Sequence, residues 1–312
     1  MPFETNLLQI LFNSLISGSL YVLVGLGLTM TYSLTKFPNF AHAEFITLGA
    51  YIVYAMTDIL NLGLISGIIV SMLITGFVGV ACFLMVFRPL ANRKGTMVHL
   101  MISSIGVGIF LRYAIQQIWG GQELHFSKVH FAGYNLGPLR VTSLWIGIIL
   151  TAVILVIILH LILTQTKLGK AMRATSNNPS LAQASGIDID KIIMIVWFLG
   201  AALAGLGGFF KAADTRIVPV LGWGILLPAF AVIILGGIGS FYGMIAAAYI
   251  LGLAENFSII GLISLGISTD YRTAIGFVVI IITLIFAPTG LSGINFSKWF
   301  KRRRPHEGEV ME

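Results

Sequence analysis

The residues best placed to do chemistry sit together in Pro38-Asn39-Phe40-Ala41-His42-Ala43-Glu44-Phe45-Ile46-Thr47-Leu48-Gly49-Ala50-Tyr51. A proline, an amide, an imidazole and a carboxylate head an apolar run. Ionised groups within a bilayer cost roughly 3 kcal/mol or more each, so these residues need a reason. A polar path through a membrane needs Asn39, His42 and Glu44; a plain lipid-facing helix does not. The same residues also admit a structural role. Pro38 restricts the preceding residues to extended geometry and ends the helix before it. Asn39 would then cap a helix beginning at Phe40, with Glu44 near its positive end, paired with His42.

A second polar group, Glu255-Asn256, lies well inside a later apolar segment. Arg112 is its candidate partner, which leaves either a structural ion pair or a lining for a path. Gly237, Gly239 and Ser240 interrupt another apolar stretch and join the candidate path residues. His99 and His160 fall near segment ends, from where they reach the interface. No Cys/His spacing suits a metal, and no G-x-x-x-x-G-K-[ST] run is present, so ATP binding through a P-loop is excluded and no cofactor is expected.

The elements that must position these residues are set by hydropathy. Of 312 residues, 57% are hydrophobic and 10% charged, against about 25% charged in a soluble domain. With a mean hydropathy of +0.95, the chain is an all-α, polytopic membrane protein. At about 20 residues per crossing, nine transmembrane segments are expected at 8–33, 43–60, 64–87, 97–118, 142–163, 192–212, 223–240, 244–262 and 273–288, with eight to ten as the range. The start, MPFETNLLQ, lacks a basic n-region, so the first run reads as a membrane helix rather than a leader. Cys82 stands alone, which rules out an intrachain disulfide.

The net charge of +7 does not indicate nucleic acid, because the basic residues cluster in loops, where they set topology. Lys36, Arg88, Arg93, Lys94, Lys167, Lys170, Arg173, Lys191 and the block Lys298 to Arg304 fall on one side. Arg112, Lys128, Arg140, Lys211, Arg216 and Arg272 fall in outer loops or at helix ends. The bias puts the N-terminus outside and the C-terminus in the cytoplasm. Residues 1–297 read as one transmembrane domain, and 298–312 as a basic, disordered tail resting on anionic lipid.

Two loops are long. The outer one, 119–141, alternates polar and apolar residues and is expected to form a small cap. The inner one, 164–191, holds a basic amphipathic stretch from Lys167 to Thr175. Asn178-Pro179 then supplies an N-cap and first-turn proline, and Gly186 fits the position just past a short helix. Asp188 or Asp190 caps the next membrane helix. A helix this short is marginal alone, and docking on a partner would bury Ala171, Met172, Ala174, Leu181 and Ala184. A weak internal repeat aligns Ala50-Tyr51-Ile52 with Ala248-Tyr249-Ile250, which sets the Pro38 break opposite Gly236–Tyr242; paired breaks of this kind point to a midplane site.

PNFAHAEFITLGAY, GKAMRATSNNPSLAQASGIDIDKI, FLGAALAGLGG and AFAVIILGGIGSFYGMIAAAYILGLAE together resemble the permease subunits of branched-chain amino-acid ABC importers, of the LivH type. The family often has Gly where this chain has Ala43. The resemblance implies a prokaryotic cell-membrane protein that transports by alternating access and is not itself an enzyme. It implies two separate ATPase subunits, a LivM-type second permease and an extracytoplasmic substrate-binding protein. The inner loop would be the coupling element, carried by Lys170, Ala171, Arg173, Ala174, Pro179, Leu181, Ala184 and Gly186. Related permeases move urea, short amides or simple sugars. A stand-alone ion-coupled transporter would explain His42 and Glu44 but leave the inner loop without a role, and an intramembrane enzyme would lack a nucleophile.

Overall fold

A computed structural model describes residues 3–137, 139–286 and 290–293. The expected tail, 298–312, lies outside them. Among the described residues, each of the nine expected apolar segments is helical over most of its length. The first is α1 (Phe3–Thr35), a helix of 33 residues, long enough at about 1.5 Å per residue to exceed a bilayer. After the break at 36–41 comes α2 (His42–Tyr54), extended by a π-helical turn at Ala55–Ile59. Next are α3 (Leu64–Cys82), a second π turn at Phe83–Phe87, and the short α4 (Arg88–Asn92). Helix α5 (Met97–Trp119) runs to the 119–141 segment, where strands β1 (Gly133–Leu136) and β2 (Leu139–Thr142) pair antiparallel. Beyond it lie α6 (Ser143–Gln165), the loop helices α7 (Lys167–Asn177) and α8 (Pro179–Ala184), and α9 (Ile189–Asp214). The chain continues through α10 (Leu221–Gly236), α11 (Phe241–Ser264) and α12 (Arg272–Phe286).

Helix α9 is the axis of the bundle, packed against α1, α2 and α3. In lipid there is little hydrophobic force between helices, so close backbone approach through small residues carries the packing. The approach is closest at Gly208, where an added Cβ would sit 1.8 Å from the Ile46 carbonyl oxygen of α2. A similar contact seats the start of α10: a Cβ on Gly222 would fall 1.8 Å from the Ala43 oxygen, and the Gly222 N–H donates to Thr47 Oγ1 at 3.0 Å. Helix α10 therefore starts inside the bundle, and at 16 residues it spans only about 24 Å.

Two expectations about helix ends are corrected. Helix α2 begins at His42, not Phe40, and Asn39 caps the preceding turn by accepting from the Ala41 N–H at 3.1 Å. The segment expected at 223–240 ends at Gly236, because Gly237 and Gly239 adopt φ of +97° and +81°, a region that only glycine enters without strain. Ser240 then caps α11 by accepting from the Gly243 N–H at 3.1 Å.

The loops group in two sets. On one side, Asp58 accepts from the Ser127 and Lys128 N–H groups, Arg216 pairs with Glu123 at 2.8 Å, and Leu124 bridges Ile217, so the 119–141 segment is a cap tied to two helix ends. On the other, Arg88 pairs with Asp190 at 2.5 Å, and Ser176 Oγ donates to the Ser33 carbonyl at 2.9 Å.

Candidate functional site

Helix α1 ends at Thr35, and Lys36 turns through φ +57° before Pro38 forces the extended entry into α2. The break lies at the depth of Val24, whose carbonyl meets His42 Nε2 at 3.3 Å, and the Phe40 N–H donates to Ser104 Oγ of α5 at 3.0 Å. His42 and Glu44, expected to pair, instead point to different neighbours. Glu44 Oε1 accepts from Arg112 Nη2 at 2.8 Å, Arg112 Nε at 3.1 Å and Trp223 Nε1 at 2.8 Å. The Arg112 guanidinium lies 5.0 Å from the Trp223 ring centroid, a distance at which a cation is attracted to an indole face. Phe40 stacks on Trp223 at 6.3 Å and meets Phe230 at 5.3 Å.

This corrects the expected pairing of Arg112 with Glu255. Both carboxylates sit in apolar helices, and only the three-dimensional packing of α5 on α2 selects Glu44. The Glu44 residue is 0% exposed and the Arg112 side chain 21% exposed. Of the break's polar atoms, Glu44 Oε2, His42 Nδ1 and Asn39 Nδ2 are buried without a partner in this arrangement. Buried polar atoms are nearly always bonded in native structures, so three orphans within six residues mark a segment whose polarity exceeds what its own cap and ion pair need. Ala43 is fully buried, and its methyl is accommodated without disturbing the helix start at His42.

Glu255 occupies a different place. Its Oε2 accepts from Tyr21 OH at 2.6 Å, and Asn256 Nδ2 donates to Ser17 Oγ at 3.1 Å. Both residues line a cavity of about 620 Å³ between α1, α9, α10, α11 and α12, together with Lys211, Asp214 and Arg272. The cavity also takes in Gln9 and Arg140, so it lies on the cap side of the protein. Gly237, Gly239 and Ser240 belong to neither group: a Cβ on Gly239 would approach only Ser33, near the C-terminal end of α1. The two aligned breaks thus sit at different depths.

The loop helices take the expected form. Thr166 caps α7 by accepting from the Gly169 N–H at 3.1 Å, and Asn178 caps α8 by accepting from the Leu181 N–H at 3.0 Å, with Pro179 in its first turn. Gly186 turns the chain at φ +84°, and Asp188 caps α9. Met172 and Ala182 face the bundle; Lys170, Arg173, Pro179, Leu181 and Ala184 face outward, and Ala171 and Ala174 are half-buried. His99 closes a capping box at the start of α5, and His160 Nδ1 meets Tyr242 OH at 2.6 Å. Sequence reasoning missed Trp223, Ser104 and Tyr21, since an indole or hydroxyl in an apolar helix carries no spacing signal. It also assigned Lys211 and Arg272 to topology alone.

The family described as "branched-chain amino acid transport system / permease component" matches residues 10–284. A probable branched-chain amino acid transport permease protein LivH of Methanocaldococcus jannaschii is 31% identical, with 93% of this chain and 94% of that protein covered. The permease protein BraD of a high-affinity branched-chain amino acid transport system from Pseudomonas aeruginosa is 30% identical, covering 94% and 98%. The corresponding LivH protein of Escherichia coli is 28% identical, covering 92% and 95%. These matches span the break, the cavity and the loop helices alike, and the chain belongs to the branched-chain amino acid transport system permease family.

Proposed function

We propose that this chain is one permease half of an ATP-driven importer for branched-chain or other hydrophobic amino acids. The full-length match to permeases of branched-chain amino acid systems carries this reading. Separate ATPase subunits dock on α7 and α8 in the cytoplasm, a LivM-type chain completes the pore, and a binding protein delivers substrate to the capped outer face. The N-terminus is outside and the C-terminus inside. ATP-driven closure rocks the permeases between two openings, and the substrate passes the Asn39–His42–Glu44 break. Orphaned polar atoms there, and an outward-facing Leu181 at 64% exposure, support these two assignments. Gly237, Gly239 and Ser240, the glycine turn and cap between α10 and α11, are assigned to the same path.

Uptake of radiolabelled L-leucine by cells carrying or lacking this gene tests the reading. Loss of saturable leucine uptake on deletion, with urea and ribose uptake unchanged, is the expected result. Intact leucine uptake with lost urea or ribose uptake would overturn the substrate assignment.

A further inference from the structure

The cap-side cavity carries charges of both signs with spare bonding capacity. Lys211 and Arg272 have no carboxylate within 4.0 Å among the described residues. Among the described residues, Glu255 accepts on Oε2 from Tyr21 and on Oε1 from no donor, and Asp214 accepts on Oδ1 from Trp145 Nε1 at 2.9 Å and on Oδ2 from no donor. Gly276 lets α12 approach Glu255 closely: a Cβ there would fall 2.8 Å from Oε1. Lys211, Glu255 and Arg272 lie within electrostatic reach of one another. Two cations and two carboxylates held apart in the outer part of a membrane bundle are costly unless something pairs them.

The lining sets Lys211, Arg272 and, at the mouth, Arg140 against Glu255 and Asp214; charges of both signs facing one cavity suit a ligand with one charge of each sign better than a metal cation or a lone anion. Gln9, Asn13, Ser17, Asn256 and Thr273 add neutral polar groups, and Ile16, Leu20, Ile225 and Pro228 form one apolar wall. The cavity's 620 Å³ falls in the roughly 300–1,000 Å³ range of small-ligand sites. We propose that this cavity binds a zwitterionic amino acid, its carboxylate on Lys211 and Arg272, its ammonium on Glu255 and Asp214, and its side chain against the apolar wall. The assignment rests on the importer reading and adds a receiving site on the permease itself. Arg140 at the mouth steers the carboxylate inward.

The test uses the full chain in phosphatidylglycerol nanodiscs, labelled with photo-leucine, a diazirine analogue of leucine, with the labelled peptides mapped by mass spectrometry. Labelling is expected on the α1 and α10 wall, competed by L-leucine and at least about tenfold less well by leucinamide or 4-methylpentanoate, each of which lacks one charge. Lys211→Met and Glu255→Gln should each cut labelling at least about tenfold, while Lys211→Arg and Lys94→Met retain it. Equal competition by the singly charged analogues would overturn the proposal, as would labelling elsewhere or not at all, or displacement by phosphatidylethanolamine. Intact leucine uptake in cells with no cavity labelling removes this inference alone; loss of both removes the importer reading as well.

Discussion

Glu44 places three donors on one carboxylate oxygen and leaves the other buried without any. Such an ion pair adds little stability over an apolar replacement, yet removing one partner strands a buried charge. Arg112→Met should therefore destabilise the protein by about 3–5 kcal/mol, and adding Glu44→Gln to it should recover part of that loss, as read by thermal unfolding in detergent. If the break also lines the path, Glu44→Gln and His42→Ala reduce leucine uptake at least about tenfold at normal expression, and near-normal uptake in both limits the segment to a structural role. The carboxylate itself was legible in the sequence, because charge in an apolar helix is conspicuous. Its partner was not: Arg112 could reach either Glu44 or Glu255 by composition, and only the packing of α5 on α2 decides.

At the scale of elements, the nine apolar segments followed from hydropathy and bilayer thickness, and the caps at Asn178 and Asp188 from local chemistry that needs no tertiary information. Helix ends set by neighbours did not follow. Helix α10 begins inside the bundle because Gly222 fits against Ala43 and Thr47, a contact between residues distant in sequence. The same kind of contact makes a prediction. Gly208→Ala forces a methyl into the Ile46 carbonyl, which cannot retreat without parting α2 from α9, and overpacking of this kind costs about 1–3 kcal/mol or more. Gly106→Ala, with open space around it, should gain up to about 1 kcal/mol from helix propensity. Melting temperatures of the two purified variants give the comparison; an unchanged Gly208→Ala protein would refute the close-packed α2–α9 contact.

At the scale of the whole molecule, the fold links its loop helices to its polar break. Ser176 of α7 donates to the Ser33 carbonyl at the end of α1, and Lys36 Nζ donates to Ser176 at 3.2 Å, two residues ahead of Pro38. A push on α7 and α8 thus reaches the head of α2 through a short chain of contacts. The two short helices of the 164–191 loop were legible in its cap residues, Asn178-Pro179 and Gly186; their tie to the break was not, since two serine hydrogen bonds leave no pattern. We propose that an ATPase seats on the outward face of α8. Leu181→Asp and Ala184→Asp put a carboxylate on that face, where burial of an unpaired charge opposes association by several kcal/mol, roughly 2–5, but a solvated surface changes stability by under about 0.5 kcal/mol. The direct measurement is co-purification of the ATPase with the permease, together with substrate-stimulated ATP hydrolysis in liposomes. The account predicts that both variants fold normally yet lose the ATPase and the stimulated hydrolysis; full retention of both by both variants would contradict the docking site and the cytoplasmic placement of α7 and α8.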